Sequence, residues 1–277
     1  MARRSFLFAP GNDPELMRKA AASEADIAVF DLEDAVAPAK KAEARTQVRD
    51  VLTREENAAR ICVRVNPIGA GAETDVGEAF DQATPASVML PKTTSAEDIH
   101  GLSRLLEKHD ARVPVIALIE TAAGVLAADA IAATDPTDAL VFGAEDLAAD
   151  IGATRTSDGT EVLYARERVV IAARAADIAP IDPVYTDYRD LDGLRRETEF
   201  AAQLGFDGKL AIHPDQIPVI NDAFAPSEEE VEWAERVVAV SGETEAGVFE
   251  IDGEMIDSPL IRQAERILAR VRKADRR

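Results

Sequence analysis

Hydrophobic residues in this chain fall into short continuous runs that alternate with longer segments of helical period. The runs are Ser5–Pro10, Ile27–Asp34, Ile61–Pro67, Ser87–Lys92, Val113–Thr121, Ala139–Asp146, Ala179–Thr186 and Lys209–Pro214. Each is bounded by Gly, Pro or Asp, which is how a parallel strand buried on both faces reads. Between them, Pro14–Ser23, Ala39–Leu52, Ala96–Lys108, Gly124–Ala133, Tyr164–Ala176 and Leu191–Leu204 carry the helical patterns. Eight strand–helix units is the number that closes a (β/α)₈ barrel, a fold of about 250 residues. An open doubly wound sheet is the alternative, but no GxGxxG follows the first strand. The pattern therefore predicts an α/β protein whose residues 1–225 form a TIM barrel.

Punctuation supports these boundaries. Asn12-Asp13-Pro14-Glu15 sets a capping side chain before a proline in the first helical turn, and Pro38 opens the second helix similarly. After Pro226 the pattern changes. Ser227-Glu228-Glu229-Glu230 caps a helix, Gly247–Asp257 is a short Gly- and Asp-containing segment, and an amphipathic helix starts near Pro259. A barrel does not require residues 226–277, so they read as a C-terminal helical extension serving as a lid, a partner-binding arm, or both. Tyr164, Tyr185 and the lone Trp233 read as packing residues.

Composition narrows the setting. A hydrophobic fraction of 47% in 277 residues is enough for a large core. The longest apolar run, Val113 to Ile119, is far short of the ~20 residues that span a bilayer. One cysteine, Cys62, excludes a disulfide framework, and three histidines without an HExxH spacing argue against a histidine-based metal centre. The charge, 31 basic minus 52 acidic residues, is −21, which disfavours binding to nucleic-acid phosphates. Only seven residues are lysine, and the acids are spread along the chain, as on a solvated surface adapted to a salt-rich cytoplasm. Any anionic ligand needs a local exception among the Lys and Arg residues. Arg3-Arg4 resembles an export signal, but the apolar stretch ends too soon at Pro10-Gly11. A cytoplasmic enzyme is the expectation.

The polar residues at the ends of the runs carry the chemistry. Asp31, Glu33 and Asp34 end the second, Arg64 and Asn66 the third, Lys92 the fourth and Glu120 the fifth. Glu145 and Asp146 end the sixth, Asp182 the seventh and His213 the eighth. A barrel brings all these ends to one mouth, where such enzymes have their active sites. Glu120 and Asp146 close adjacent strands. They suit Mg²⁺, which takes only one or two protein carboxylates, or else two acids held by arginine and backbone donors. Arg64 is either a guanidinium for a substrate carboxylate or enolate, or a salt-bridge partner for Asp31 or Glu33. His213, without a visible partner, reads as structural.

Several segments carry a family resemblance along nearly the full chain. They are Phe8-Ala-Pro-Gly-Asn12, Asp31-Leu-Glu-Asp-Ala-Val-Ala-Pro38 with Lys40 to Arg45, Val63-Arg64-Val65-Asn66, Leu90-Pro-Lys92, Leu118-Ile-Glu-Thr121, Phe142-Gly-Ala-Glu-Asp-Leu147 and Gly205-Phe-Asp-Gly-Lys-Leu-Ala-Ile-His-Pro214. In this order they resemble the CitE-like branch of the HpcH/HpaI aldolase and citrate lyase superfamily.

The resemblance implies a Mg²⁺-dependent barrel lyase, with Mn²⁺ as a substitute, that cleaves or forms a C–C bond in a 3-hydroxyacyl thioester. It implies that Glu120 and Asp146 hold the metal, that Arg64 polarises the substrate, and that Phe8 and Lys19 bind CoA. Asp31, Glu33 and Asp34 are supporting acids. Met255 to Pro259 is similar to a lid segment whose aspartate, here Asp257, enters a neighbouring subunit's site in a homotrimer or homohexamer. The plain alternative is that Asp257 caps the last helix. The partners implied are an acyl-CoA thioester and a small 2-oxo acid. Three activities fit: a stand-alone malyl-CoA or citramalyl-CoA lyase, a citrate lyase β subunit working on an acyl carrier protein, and a malyl-CoA thioesterase.

Overall fold

The computed structural model describes residues 3–54, 60–243 and 247–274. Contacts divide them into two compact units, Arg3–Asn221 and the residues from Asp222 onward, against a sequence boundary expected at 225/226.

The first unit is a closed barrel of eight parallel strands in sequence order, β8 pairing back to β1 with Ser5 beside Lys209. Its elements are β1 (Ser5–Pro10), α1 (Pro14–Ala22), β2 (Ile27–Asp31), α2 (Lys41–Arg54), β3 (Ile61–Arg64), α3 (Ala72–Ala79), β4 (Ser87–Leu90), α4 (Ala96–Lys108) and β5 (Val115–Ile119). Then follow α5 (Ala122–Leu126), α6 (Ala128–Ala132), β6 (Thr137–Phe142), α7 (Ala144–Asp150), α8 (Leu163–Ala175), β7 (Ala179–Asp182), α9 (Leu191–Leu204) and β8 (Gly208–Ala211). Helix α10 (Gln216–Ala223) runs across the division between the units.

Local chemistry explains the punctuation. Asp13 accepts the N–H groups of Glu15 and Leu16 at the start of α1. Ser95 and Asp98 form a reciprocal capping box on α4, whose Ile99, Leu102 and Leu106 are buried along one stripe. The barrel interior is filled by every second strand residue, including Phe6, Val29, Cys62, Met89, Ile116 and Leu118. Complete burial pushes the Cys62 thiol up to about 12, so it is an inert core residue.

Three details differ from the sequence reading. The strands stop before most of the charged residues: β2 at Asp31, β4 at Leu90, β6 at Phe142. Glu145 and Asp146 therefore belong to the first turn of α7 rather than to a strand. Between β6 and α7, Gly143 passes so close to Glu120 that a Cβ there would lie 2.5 Å from Glu120 Cβ, which only glycine allows. The expected helix 124–133 is two short helices broken at Ala127, and α3, α7 and α10 add to the expected set. Tyr164 is not a packing residue, being 69% exposed on α8.

The second unit holds α11 (Glu228–Glu243), a hairpin of β9 (Phe249–Ile251) and β10 (Glu254–Ile256), and α12 (Ser258–Ala274). Ser227 and Glu230 cap α11 reciprocally. Asp252 and Gly253, both at positive φ, make the two-residue turn that an Asp-Gly pair favours in hairpins. Ala234, Val237, Ile256, Ala264 and Ile267 form its small core, with Trp233 packed against it. Among the described residues no helix is long and apolar enough to cross a membrane.

Candidate active site

The inward-facing alternation that fills the barrel also loads its mouth. Ile27 and Val29 face inward on β2, so the next inward position is Asp31. By the same count Arg64 follows Cys62, Glu120 follows Leu118, and Phe8 follows Phe6. One geometric rule thus delivers a cation, two acids and an aromatic ring to the C-terminal end of the barrel.

These groups are locked together. Arg64 donates Nε and Nη2 to the two oxygens of Asp31 at 2.7 and 2.6 Å, and its Nη1 lies 3.2 Å from Glu33 Oε2. The guanidinium sits 4.9 Å from the centre of the Phe8 ring. Asp31 also accepts the N–H groups of Glu33 and Ala35. Burial alone would depress the Arg64 pKa, but hydrogen bonding and charge from Asp31, with charge from Glu33, raise it instead. Lys92 closes the row, giving its ammonium to Glu33 Oε1 at 2.8 Å and its N–H to Glu120 Oε1 at 2.8 Å.

Glu120 is different. It is 2% exposed and, among the described residues, accepts that N–H alone. Burial pushes its carboxyl up to about 8, and the neighbouring charges of Glu33 and Asp146 add to the shift against the Lys92 N–H and Arg64. Asp146 is exposed at the start of α7, close enough for its charge to act on Glu120. Among the described residues, Asp31 and Glu33 are matched by cations while Glu120 and Asp146 have none in contact. Among the described residues no cluster of three or more His, Cys, Asp and Glu forms a metal cage. Two carboxylates are nevertheless what an oxygen-seeking Mg²⁺ with its own waters takes from a protein.

The remaining sequence candidates are scattered. Asp34 is exposed beside Glu33 and Lys92, acting on both through charge. Lys19 lies in the last turn of α1, largely exposed, and its ammonium pairs with Glu15 on its own helix rather than with a mouth residue. Glu145 is bound to Arg155. Asp182 does not face the mouth: Ile181 is the inward residue, so Asp182 points outward and is buried against Arg166 and Lys209. His213 is half-exposed at the end of β8 and stacks on Tyr188 at 4.8 Å. In the second unit, Asp257 accepts the N–H of Leu260 at 3.4 Å, as an N-cap of α12 does.

A supporting network around Asn66 carries no signal in the sequence pattern of strand ends. Lys41 directs its ammonium at the carbonyls of Leu32 and Glu33 and at Asn66 Oδ1. The fully buried Asp75 accepts from the backbone N–H and the side-chain amide of Asn66 and pairs with Arg45. Lys41 and Arg45 lie within the segment that resembled the family; nothing local marks Asp75, on an amphipathic helix, as buried.

A closed parallel barrel with charged groups gathered at the strands' C-terminal ends defines a (β/α)₈ enzyme. Residues 4–214 match the family model described as HpcH/HpaI aldolase/citrate lyase, and the chain belongs to that family. It is 41% identical to mitochondrial citramalyl-CoA lyase of Mus musculus, over 96% of this chain and 85% of that protein. A (3S)-malyl-CoA thioesterase of Cereibacter sphaeroides is 36% identical over 96% of this chain and 94% of its own. Among solved structures, protein CitE from Mycobacterium tuberculosis in complex with magnesium, acetoacetate and coenzyme A is 40% identical, with a TM-score of 0.83 over 97% of this chain and 98% of that one.

Proposed function

We propose that this protein is a Mg²⁺-dependent carbon–carbon lyase that splits a 3-hydroxyacyl-CoA, of the malyl-CoA or citramalyl-CoA kind, into acetyl-CoA and a 2-oxo acid, or joins the two. The observation that carries this reading is the uncompensated pair in the mouth. Glu120 is buried within reach of the Asp146 charge and, among the described residues, neither forms an ion pair, while Asp31 and Glu33 are held by Arg64 and Lys92. Glu120 and Asp146 would hold the ion, with Mn²⁺ able to replace Mg²⁺. Bound there, it supplies Lewis-acid polarisation of substrate oxygens.

The chain's own groups do the rest. Arg64, fixed in direction by Asp31 and Glu33, offers positive charge where the thioester carbonyl gains negative charge as the C–C bond breaks. Phe8 lines the same wall, and Lys19 is a cation for the CoA tail. Asp257 exchanges the proton at the acetyl methyl, supplied by a neighbouring subunit of a homotrimer or homohexamer. Mixing inactive Asp257→Ala and Glu120→Ala proteins tests this: regained activity after subunit exchange supports the shared site, and silence after verified exchange defeats it. The single cysteine, buried as a free thiol, and the acidic composition suit a reducing cytoplasm.

Likeness to a malyl-CoA thioesterase favours a second reading, in which the same mouth admits water and hydrolyses the thioester. A citrate lyase β subunit acting on a carrier protein is the third. Purified protein with Mg²⁺ and a panel of 3-hydroxyacyl-CoA esters separates the first two. Release of 2-oxo acid without free thiol is expected; free thiol without 2-oxo acid would replace lyase by thioesterase. Activity confined to carrier-protein thioesters would select the third reading.

A further inference from the structure

Lys92 has a backbone φ of +51°, a left-handed conformation disfavoured for a residue with a side chain. That turn has a geometric product. The Lys92 N–H reaches Glu120 Oε1 while the ammonium of the same residue reaches Glu33 Oε1, each at 2.8 Å. Glu33 is 3% exposed, and its other oxygen, Oε2, makes no hydrogen bond among the described residues, with Arg64 Nη1 at 3.2 Å as its charge partner. Glu33 is thus a buried carboxylate within electrostatic range of Glu120, equipped to act as a third oxygen ligand if it were released.

We propose that Lys92 is a positioning residue that sorts the mouth acids: its amide aims Glu120 into the cation site and its ammonium keeps Glu33 out of it. This rests on the metal reading given under the proposed function. The physical reason for such sorting is coordination. Mg²⁺ accepts about six oxygens, and each extra protein carboxylate removes a place that substrate oxygens need while binding the ion more tightly. Lys92 trades metal affinity for an open coordination position. The side chain is suited to the task because it is partly exposed at the rim, so its charge holds Glu33 without deep burial of its own.

The trade makes a prediction opposite to that of a merely structural lysine, whose loss would loosen the site. Mn²⁺ binding is measured without substrate, by the paramagnetic resonance signal of free Mn²⁺, on the parent, K92M, K92R and the double variant K92M/E33Q. K92M leaves the backbone amide to Glu120 in place and is expected to bind Mn²⁺ about tenfold more tightly, the scale of removing one partly screened charge near the ion, while its kcat falls. K92R is expected to resemble the parent, and adding E33Q to K92M is expected to return the affinity to the parental value. If K92M does not fold, K92Q is expected to give the same tightening. Unchanged or weaker Mn²⁺ binding in either folded variant overturns the role of Lys92, as does tightening that persists in K92M/E33Q. Failure of the parent to bind Mn²⁺ overturns the metal reading as well, so the two failures are distinguishable.

Discussion

Two charged clusters flank the barrel wall, and they differ in balance. On its outer side, between β7, β8 and the helices α8 and α9, Asp182 accepts Nε and Nη2 of Arg166 at 2.7 and 2.8 Å. Lys209 bridges Asp182 at 2.6 Å and Glu197 at 2.5 Å. Two cations meet two acids, and Asp182 and Lys209 are fully buried. In the mouth, Arg64 and Lys92 meet Asp31 and Glu33 in the same manner, but Glu120 and Asp146 are left over. A buried ion network that closes on itself is a structural clamp. One that leaves a buried acid with no cation in contact among the described residues, its carboxyl pushed up to about 8, marks a candidate functional site. The comparison separates scaffold from site more sharply than burial or charge density alone.

Removing the unbalanced acids gives the largest expected effect on function. Glu120→Ala and Asp146→Ala should each lose metal-dependent turnover by about 10³ or more, with thermal unfolding little changed. Full activity of either variant in excess EDTA would sink the metal assignment. Disturbing the balanced cluster should do the reverse. Asp182→Ala leaves Lys209 and Arg166 buried without their shared partner and should cost about 3–5 kcal/mol of stability in a denaturant titration. A loss below 1 kcal/mol would mean that Glu197 and solvent compensate both cations.

A subtler break is Arg64→Lys, which keeps the charge but loses the two-pronged grip on Asp31 and the fixed direction toward the substrate. Its turnover should fall roughly 10²-fold with the fold intact; parental kinetics would make Arg64 a salt-bridge partner only. The smallest effect expected is a pH slope. In the metal-free protein Glu120 holds its proton up to about 8, against an ordinary value of 4.5. Between those values the folded chain keeps a proton that the unfolded chain has lost. The associated stability is therefore complete below about 4.5 and disappears as pH rises through 8. Glu120→Gln cannot lose that proton, so its Tm should gain on the parent between pH 5 and 9, while equal slopes would place the compensation elsewhere.

Much of this was legible in the one-dimensional pattern because barrel strands obey a period of two and helices a period of 3.6. The eight apolar runs, the cap at Asp13 and the convergence of Asp31, Arg64 and Glu120 follow from that arithmetic. The hairpin at Asp252-Gly253 had its signal too, in a segment whose strands are only three residues long. Asp182 follows the inward Ile181 and so faces the helices, which a list of charged strand ends does not reveal.

By itself, then, the sequence determined the order of elements, the closed architecture and the set of charged residues sent toward the mouth, because these depend on local periodicity and on connection lengths. Only the tertiary structure decided which acid meets which cation. Arg64 and Asp31 are 33 residues apart, Lys92 and Glu33 are 59 apart, and Gly143 must pass against Glu120. Pairing at such separations is set by the register of neighbouring strands and by the rotation of each side chain at its end. Compensation of charge is a three-dimensional property: the same four acids and two cations, paired differently, would leave a different carboxylate free to receive an ion.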